Sequence, residues 1–214
     1  MGFLSVLSFA HQLVQQRVQA GDMAIDATAG CGNDTLLLCR LVGASGRVVA
    51  FDIQPEALEQ TQVRLAAAGM DPCRYRLVLA SHHEMEAYVK AEDRLGKIDG
   101  RDAGVAAVMF NLGYLPGDGS AADESDGERI ITRPDTTIPA MEAALRLLRP
   151  GGVLTAVLYP GHSGGREEAE AVEAWAAGLP QRAAQTLRYS FTNAPATAPY
   201  LVAVEKKSSR EYNR

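Results

Sequence analysis

The sequence predicts a single α/β domain, with helices packed on both faces of a doubly wound, mostly parallel sheet. Three observations predict it. Short apolar runs alternate with amphipathic stretches through five units before two closing strands. One of those runs, from Val105 to Phe110, is almost purely apolar, as a strand buried on both faces should be. The third is the junction Ile25-Asp26-Ala27-Thr28-Ala29-Gly30-Cys31-Gly32-Asn33-Asp34-Thr35, which leads from an apolar strand through a small-residue loop straight into a helix. With 214 residues, 47% apolar and 22% charged, the chain can build one substantial core and is globular rather than disordered. No repeat and no second-domain boundary is visible, so residues 1–214 are read as one domain.

In chain order, residues 3–20 read as a helix with Leu4, Leu7, Val14 and Val18 on or near one face, ended by Gly21-Asp22. His11 within it reads as a core or surface histidine. A short strand at 23–25 enters the glycine loop, a helix follows to Val42, and residues 43–46 turn into a second strand, 47–51, that ends in Asp52. Pro55 suits the first position of a helix over 56–68, closed by Gly69. A third strand over 74–80 delivers Ser81-His82-His83 to its carboxyl end, and a helix spans 84–92. After a polar connection at 96–104 comes the buried strand 105–110, which opens onto Asn111-Leu112-Gly113-Tyr114-Leu115-Pro116-Gly117. Residues 118–128 carry acids and no lysine or arginine, and read as a mobile loop. A helix over 136–148, a Pro150-Gly151-Gly152 turn and a fifth strand over 153–158 lead to a second loop, 159–165. A helix over 166–178, strands near 185–192 and 200–205 and a loose tail over 206–214 complete a seven-stranded sheet with one antiparallel strand.

Composition removes several classes. A formal net charge of −5 argues against nucleic-acid binding by the whole surface, though not by a local basic face. No apolar run approaches the roughly 18–20 residues that span a bilayer, so no membrane association is expected. The apolar start, Met1 to Leu7, lacks a basic region and a cleavage site, and so reads as helix rather than signal. It lacks a myristoylation pattern too. Three cysteines, Cys31, Cys39 and Cys73, without metal spacing indicate a reducing, cytoplasmic setting and no zinc. His82 and His83 are adjacent and point to different sides, so no metal is expected there either.

Strand, glycine loop and helix start together form a cofactor cradle. Gly30 and Gly32 let the backbone approach a ligand, and free N–H groups at the helix start favour an anionic group. Asn33 or Asp34 can cap that helix. Asp52, about 20 residues beyond the glycines, stands where a ribose is gripped. A dinucleotide fingerprint needs a small residue at position 35, where Thr35 stands, and Asp26 suits a cationic ligand better than a pyrophosphate. The expected ligand is therefore S-adenosylmethionine. Cys31 is expected to pack against it, and Ser81 and His82 to bond or shield the adenine. Asn111 and Tyr114 lie at the carboxyl end of the strand expected beside the glycine-loop strand. The Asn111 oxygen and the Leu112 carbonyl can hold an amine, and Tyr114 can stack on a planar base or lie against the sulfonium.

Six strings now carry a resemblance: 26–35, Phe-Asp-Ile-Gln at 51–54, Ser-His at 81–82, Phe-Asn-Leu-Gly-Tyr-Leu-Pro-Gly at 110–117, Ile-Thr-Arg-Pro-Asp-Thr-Thr at 131–137 and Tyr-Pro-Gly-His-Ser-Gly-Gly at 159–165. Over nearly its whole length the chain resembles the YtqB/MnmM group of class I methyltransferases, which have a Rossmann-like fold. The resemblance implies methylation of the aminomethyl group of 5-(aminomethyl)-2-thiouridine at the tRNA wobble position. It implies contact with the anticodon region and adds Gln54 to the cofactor residues. Two departures stand out: Cys31 replaces the asparagine of the group's Gly-Asn-Gly loop, and the stretch between Gly117 and Ile130 is longer and more acidic. For amine methylation, His162 is the candidate proton acceptor, with loop bracing as its alternative role. Three functions stay open: the tRNA methyltransferase, a methyltransferase of another RNA or a small amine, and a non-catalytic binder of S-adenosylmethionine or RNA. Arg129, Arg133, Arg166 and Arg188 on the cofactor-side rim would favour RNA. A homodimer is compatible with the sequence.

Overall fold

The computed structural model describes residues 2–91, 104–113 and 132–208. Tyr114, the acidic segment 118–128, Arg129 and residues 209–214 lie outside them. The elements are α1 (Val6–Gln15), β1 (Met23–Asp26), α2 (Asn33–Val42), β2 (Arg47–Asp52), α3 (Pro55–Ala67), β3 (Tyr75–Leu79), α4 (Met85–Lys90), β4 (Val105–Leu112), α5 (Pro134–Leu147), β5 (Leu148–Leu158), α6 (Gly165–Gly178), β6 (Ala184–Tyr189) and β7 (Tyr200–Lys206). The strands form one seven-stranded sheet in the order β3-β2-β1-β4-β5-β7-β6. β1 to β5 are mutually parallel, and β7 runs antiparallel between β5 and β6.

Side-chain alternation assigns the two layers. On one face Ile25, Phe51, Phe110, Leu154 and Val202 meet Met85 and Val89 of α4, Met141 of α5 and Val172 of α6. On the other, Ala24, Val48 and Met109 meet Leu38 of α2 and Leu65 of α3, while α1 sets Val6 and Ala10 on Val157, Leu201 and Ala203. The strand order reverses between β1 and β4. Beyond the carboxyl ends of those strands lies the crevice where such sheets take ligands.

Several boundaries differ from the local sequence signals. The first helix stops at Gln15, and the chain beyond it has other partners, one of them distant. The Arg17 carbonyl accepts from the Arg149 guanidinium (2.9 Å), and the Gln19 N–H donates to the Asp22 carboxylate (2.7 Å). The expected turn at Pro150-Gly151-Gly152 is a bulge inside β5, whose pairing with β4 jumps from Val105↔Leu148 to Ala107↔Val153. β4 itself runs on through Asn111 and Leu112, two residues past the apolar run. A 3-10 turn, His82–Glu84, occupies the start of the expected helix at 84.

Candidate functional site

The loop after β1 is threaded across the sheet by backbone bonds. Ala27 N–H donates to the Met109 carbonyl of β4 and Ala29 N–H to the Phe51 carbonyl of β2, both at 2.8 Å. The chain thereby crosses over β1 toward β2. Gly30 (φ 52°) and Gly32 (φ 78°) are left-handed, where a side chain is costly. Gly32 is also required for space, since a Cβ there would lie 2.8 Å from the Thr61 Cα of α3. From α3, Thr61 donates its hydroxyl to the Gly30 carbonyl (3.1 Å) and Arg64 donates Nε–H to the Cys31 carbonyl (2.5 Å). The Cys31 thiol points to the Gln60 side chain at 3.3 Å.

Asp26 is completely buried. Its carboxylate accepts from the Thr35 hydroxyl (2.6 Å) and from Thr28 N–H (3.1 Å). Burial first, then the Asp34 charge, pushes its pKa up to about 7 against those two donors. Its visible work is therefore to join the end of β1 to the first turn of α2. Neither Asn33 nor Asp34 caps α2. Gly32 is the N-cap and no side chain bonds the first turn, Asn33 is exposed, and Asp34 is turned aside to His11 Nε2 at 2.7 Å. The α2 start is thus left without a side-chain cap beside the glycine loop, as an anion-binding helix end needs.

Asp52 ends β2, half-buried. One oxygen accepts from Gly30 N–H (2.9 Å) and the other from Gln54 N–H (3.0 Å), leaving lone pairs on both for hydroxyl donors. Gln54 is the N-cap residue of α3. The Ser81 hydroxyl bonds His83 Nδ1 at 2.7 Å. His82 is buried, edge-on to Phe110 with ring centroids 5.8 Å apart, and hydrogen-bonded to the Ala27 backbone. Burial pushes its pKa down to about 4, so it stands neutral beneath the loop. Among the described residues its Nε2 has no hydrogen-bond partner.

On β4, Asn111 N–H donates to the Thr28 hydroxyl at 2.8 Å, tying that strand to the glycine loop. Burial and the Asp34 charge raise the Tyr159 pKa, and the nearby Asn111 side chain opposes them. The Tyr159 ring lies against Gly113, where a Cβ would come 3.2 Å from Cδ2. Tyr159 had no role in the sequence reading. The register Asn111↔Val157 sets residue 159 beside Gly113, and only the strand order reveals that adjacency. His11, read from sequence as a core or surface residue, belongs to the same wall through Asp34, whose charge also acts on Tyr159.

His162 sits on the neighbouring loop, its Nδ1 2.9 Å from the Ser163 carbonyl and its ring against Gly165 at the start of α6. Below it, Glu168 is buried on the inner face of α6. It accepts from the hydroxyls of Thr132 and Thr137, each at 2.6 Å, and burial raises its pKa. An acid at an inward helical position, three residues beyond Gly165, is a signal the sequence did carry. Arg133 and Arg166 are exposed where α5 and α6 begin, on the crevice side, whereas Arg188 is engaged with Glu173 (3.0 Å) and the Tyr200 ring (4.5 Å). Among the described residues no group of three or more His, Cys, Asp or Glu is arranged to hold a metal, and no helix is long and apolar enough to cross a membrane.

A mostly parallel sheet with this strand order, an uncapped helix start behind a glycine loop, and a second-strand aspartate at the switch point define a class I, S-adenosylmethionine-dependent methyltransferase. The family profile described as "Putative rRNA methylase" matches residues 48–205, and the chain belongs to that family. It is 39% identical over 206 residues to the chloroplastic tRNA (mnm(5)s(2)U34)-methyltransferase of Arabidopsis thaliana, covering 94% of this chain and 69% of the relative. Among solved structures, a "putative rRNA-methylase" of Clostridium thermocellum superposes with a TM-score of 0.82 at 38% identity, covering 96% of this chain and 100% of that one. SMU.1697c of Streptococcus mutans, a "putative methyltransferase" in complex with SAH, superposes with a TM-score of 0.77 at 31% identity, over 96% and 99% of the two chains.

Proposed function

We propose that this chain, as one domain over 1–214 in a reducing, cytoplasm-like compartment, methylates the aminomethyl group of 5-(aminomethyl)-2-thiouridine at the wobble position of tRNA. The observation that carries the substrate is the 39% identity to the Arabidopsis tRNA (mnm(5)s(2)U34)-methyltransferase, which extends over 94% of this chain. The local geometry fits the cofactor. Gly32 lets α3 close against the glycine loop, Asp52 retains acceptor capacity toward a ribose, and the α2 start is open to a carboxylate. In this reading Gly30, Cys31, Gly32, Asn33 and Asp34 contribute backbone around the ligand, with Gln54, Ser81 and His82 on the adenine side. Asp26 acts one layer below, through Thr28 and Thr35.

S-adenosylmethionine supplies an electrophilic methyl group on a sulfonium. The chain must present a neutral amine in line with it. An alkyl ammonium with a pKa of about 10.4 lies roughly three units from neutrality at pH 7, a cost of about 4–5 kcal/mol. A pocket that excludes water lowers that cost by disfavouring the charged form. The Asn111 amide oxygen accepts an amine N–H and aims the lone pair. His162 takes the released proton directly or through water, and Tyr114 stacks on the base. Arg133 and Arg166 lie on the rim to meet phosphates.

Mass spectrometry of tRNA nucleosides from a strain lacking this protein tests the reading. Accumulation of the unmethylated aminomethyl nucleoside, reversed by the purified chain with S-adenosylmethionine, is expected. An unchanged nucleoside profile overturns the tRNA substrate and leaves a small amine in its place.

A further inference from the structure

We infer that the aromatic strip formed by Phe9, Tyr189 and Phe191 is a stacking platform for the unpaired nucleotides that flank the wobble uridine in the anticodon loop. The inference rests on the proposed tRNA substrate and names the surface that holds it. A base delivered into a crevice leaves the stack of its loop, and its neighbours lose a stacking partner with it. Aromatic rings beside the crevice replace that partner whatever the neighbouring base, because every base has a π-face.

The fold brings such rings to the crevice from α1 and from the connection between β6 and β7. Tyr200 pairs with Leu158 and Leu201 with Tyr189, so that connection opens at the carboxyl end of β5. There it packs on the loop after β5, where a Cβ at Gly161 would lie 3.0 Å from the Thr197 carbonyl oxygen. Phe9 of α1 lies tilted against Tyr189 with ring centroids 4.4 Å apart, and Phe191 stands edge-on to Tyr189 at 5.7 Å. Phe9, Tyr189 and Tyr159 pack on one cluster, and the Tyr159 ring lies against Gly113 just past the end of β4. The strip therefore continues the crevice wall outward. It is held in place by the Tyr189 hydroxyl, which donates to the Leu4 carbonyl at 2.8 Å, and it ends at Phe191, 38% exposed. Charge selects the partner. The chain carries 26 acids and a net charge of −5, yet residues 1–21 and 174–204, which supply this face, contain no Asp or Glu. Glu173 and Glu205 border it and are paired with Arg188 at 3.0 Å and Arg17 at 2.6 Å. An acid-free face spares a polyanion the repulsion that the rest of the surface imposes. Exposed Thr192 and Asn193 add neutral donors and acceptors for base edges. Rings and neutral groups suit bases, and the phosphates are left to Arg133 and Arg166 on the rim.

The test is fluorescence anisotropy of a labelled anticodon stem-loop RNA, with uridine at the wobble position, titrated with the full chain at one fixed salt concentration. Phe191→Ala should bind roughly fivefold or more weakly, Phe191→Trp at about the wild-type affinity, and Phe191→Leu as weakly as the alanine variant. Thr192→Glu, which leaves the rings in place, should weaken binding more than Ala66→Glu on the exposed side of α3. S-adenosylmethionine affinity by calorimetry should be unchanged throughout. Wild-type affinity in Phe191→Ala overturns the inference. Full recovery in Phe191→Leu overturns it as well, since an apolar contact gives that result and a stacked base does not. Equal losses from the two glutamates overturn it too. If Phe191→Ala keeps its RNA affinity but turns a dimer into a monomer by sedimentation, or releases the chain from phosphatidylglycerol vesicles, a second copy or a lipid surface occupies the strip and the inference falls. An unchanged nucleoside profile in the strain lacking this protein overturns the tRNA substrate itself. Accumulation of the unmethylated nucleoside beside wild-type affinity in Phe191→Ala overturns only the platform.

Discussion

Thr35→Val removes one hydroxyl from the interior and nothing else of similar size. Thr35 and Asp26 are both completely buried, and their 2.6 Å bond is one of the two that Asp26 receives. Valine matches the shape and the β-branch, so packing and helix propensity change little. What changes is the hydrogen bond, and its worth depends on the charge of Asp26. With a folded pKa of about 7, Asp26 is largely protonated well below neutrality and largely ionised above it. A bond to an ionised group contributes about 1.5–3 kcal/mol, and a neutral one about 0.5–1.5 kcal/mol. Urea unfolding should therefore show Thr35→Val less stable by ~2 kcal/mol at about pH 8.5 and by ~1 kcal/mol at about pH 5.5. Thr35→Ser keeps the hydroxyl and should lie close to wild type at the alkaline value. A loss under about 0.5 kcal/mol at pH 8.5, or one that grows on acidification, would refute the account of Asp26 as a buried carboxylate held by Thr35.

Asp26 and His82 should oppose each other across the acid range. The raised Asp26 pKa favours folding below its ordinary value of 3.8, and that contribution is lost as pH rises through about 7. The depressed His82 pKa favours folding above its ordinary value of 6.5, and that contribution is lost as pH falls toward about 4. Asp26→Asn removes the contribution that opposes His82, so the variant should lose up to ~4 kcal/mol more than wild type between neutral and acid conditions, and parallel stability profiles would contradict this. Gly32→Ala should lower the thermal midpoint well beyond Gly69→Ala. Both glycines are left-handed, with φ of 78° and 68°, but nothing lies near a Cβ at 69, whereas one at 32 meets the α3 backbone. Equal losses would mean that backbone strain of about 1 kcal/mol is the whole effect.

The sheet was legible because each strand carries its own local signal. Val105 to Phe110 can hardly be anything but a doubly buried strand, and Pro55 marks the start of α3 as the structure has it. The glycine loop was legible for the same reason. What the sequence withheld was pairing. Asp34 looks like a helix cap until His11 on α1, 23 residues earlier, takes its carboxylate. Asp26 looks available to a ligand until Thr35 and Thr28 take both oxygens. Tyr159 and Asn111 are far apart in the chain and come near each other only because β4 and β5 are neighbours in register. The early end of α1 follows likewise from Arg149 reaching the Arg17 carbonyl. In each case a side chain that reads locally as free is claimed by a partner from another unit, and a one-dimensional pattern contains no term for that.

The seam between α1 and the last two strands has a consequence for how the molecule is made. The Tyr189 hydroxyl donates to the Leu4 carbonyl, Arg17 pairs with Glu205 at a separation of 188 residues, and α1 beds on Leu201 and Ala203. A ribosome adding about 5–20 residues per second needs roughly 10–40 s to cover that separation. For that interval the first-made helix has no surface to bury against on β7, and its apolar face is open to holdase chaperones. His11 rides on the same helix and reaches the glycine loop through Asp34, so this wall of the ligand crevice is braced by a helix whose own bed includes β7. A truncated nascent chain accordingly carries every residue of the glycine loop and still lacks its closed form. The antiparallel insertion of β7 thus ties completion of the crevice to a strand made long after the glycine loop.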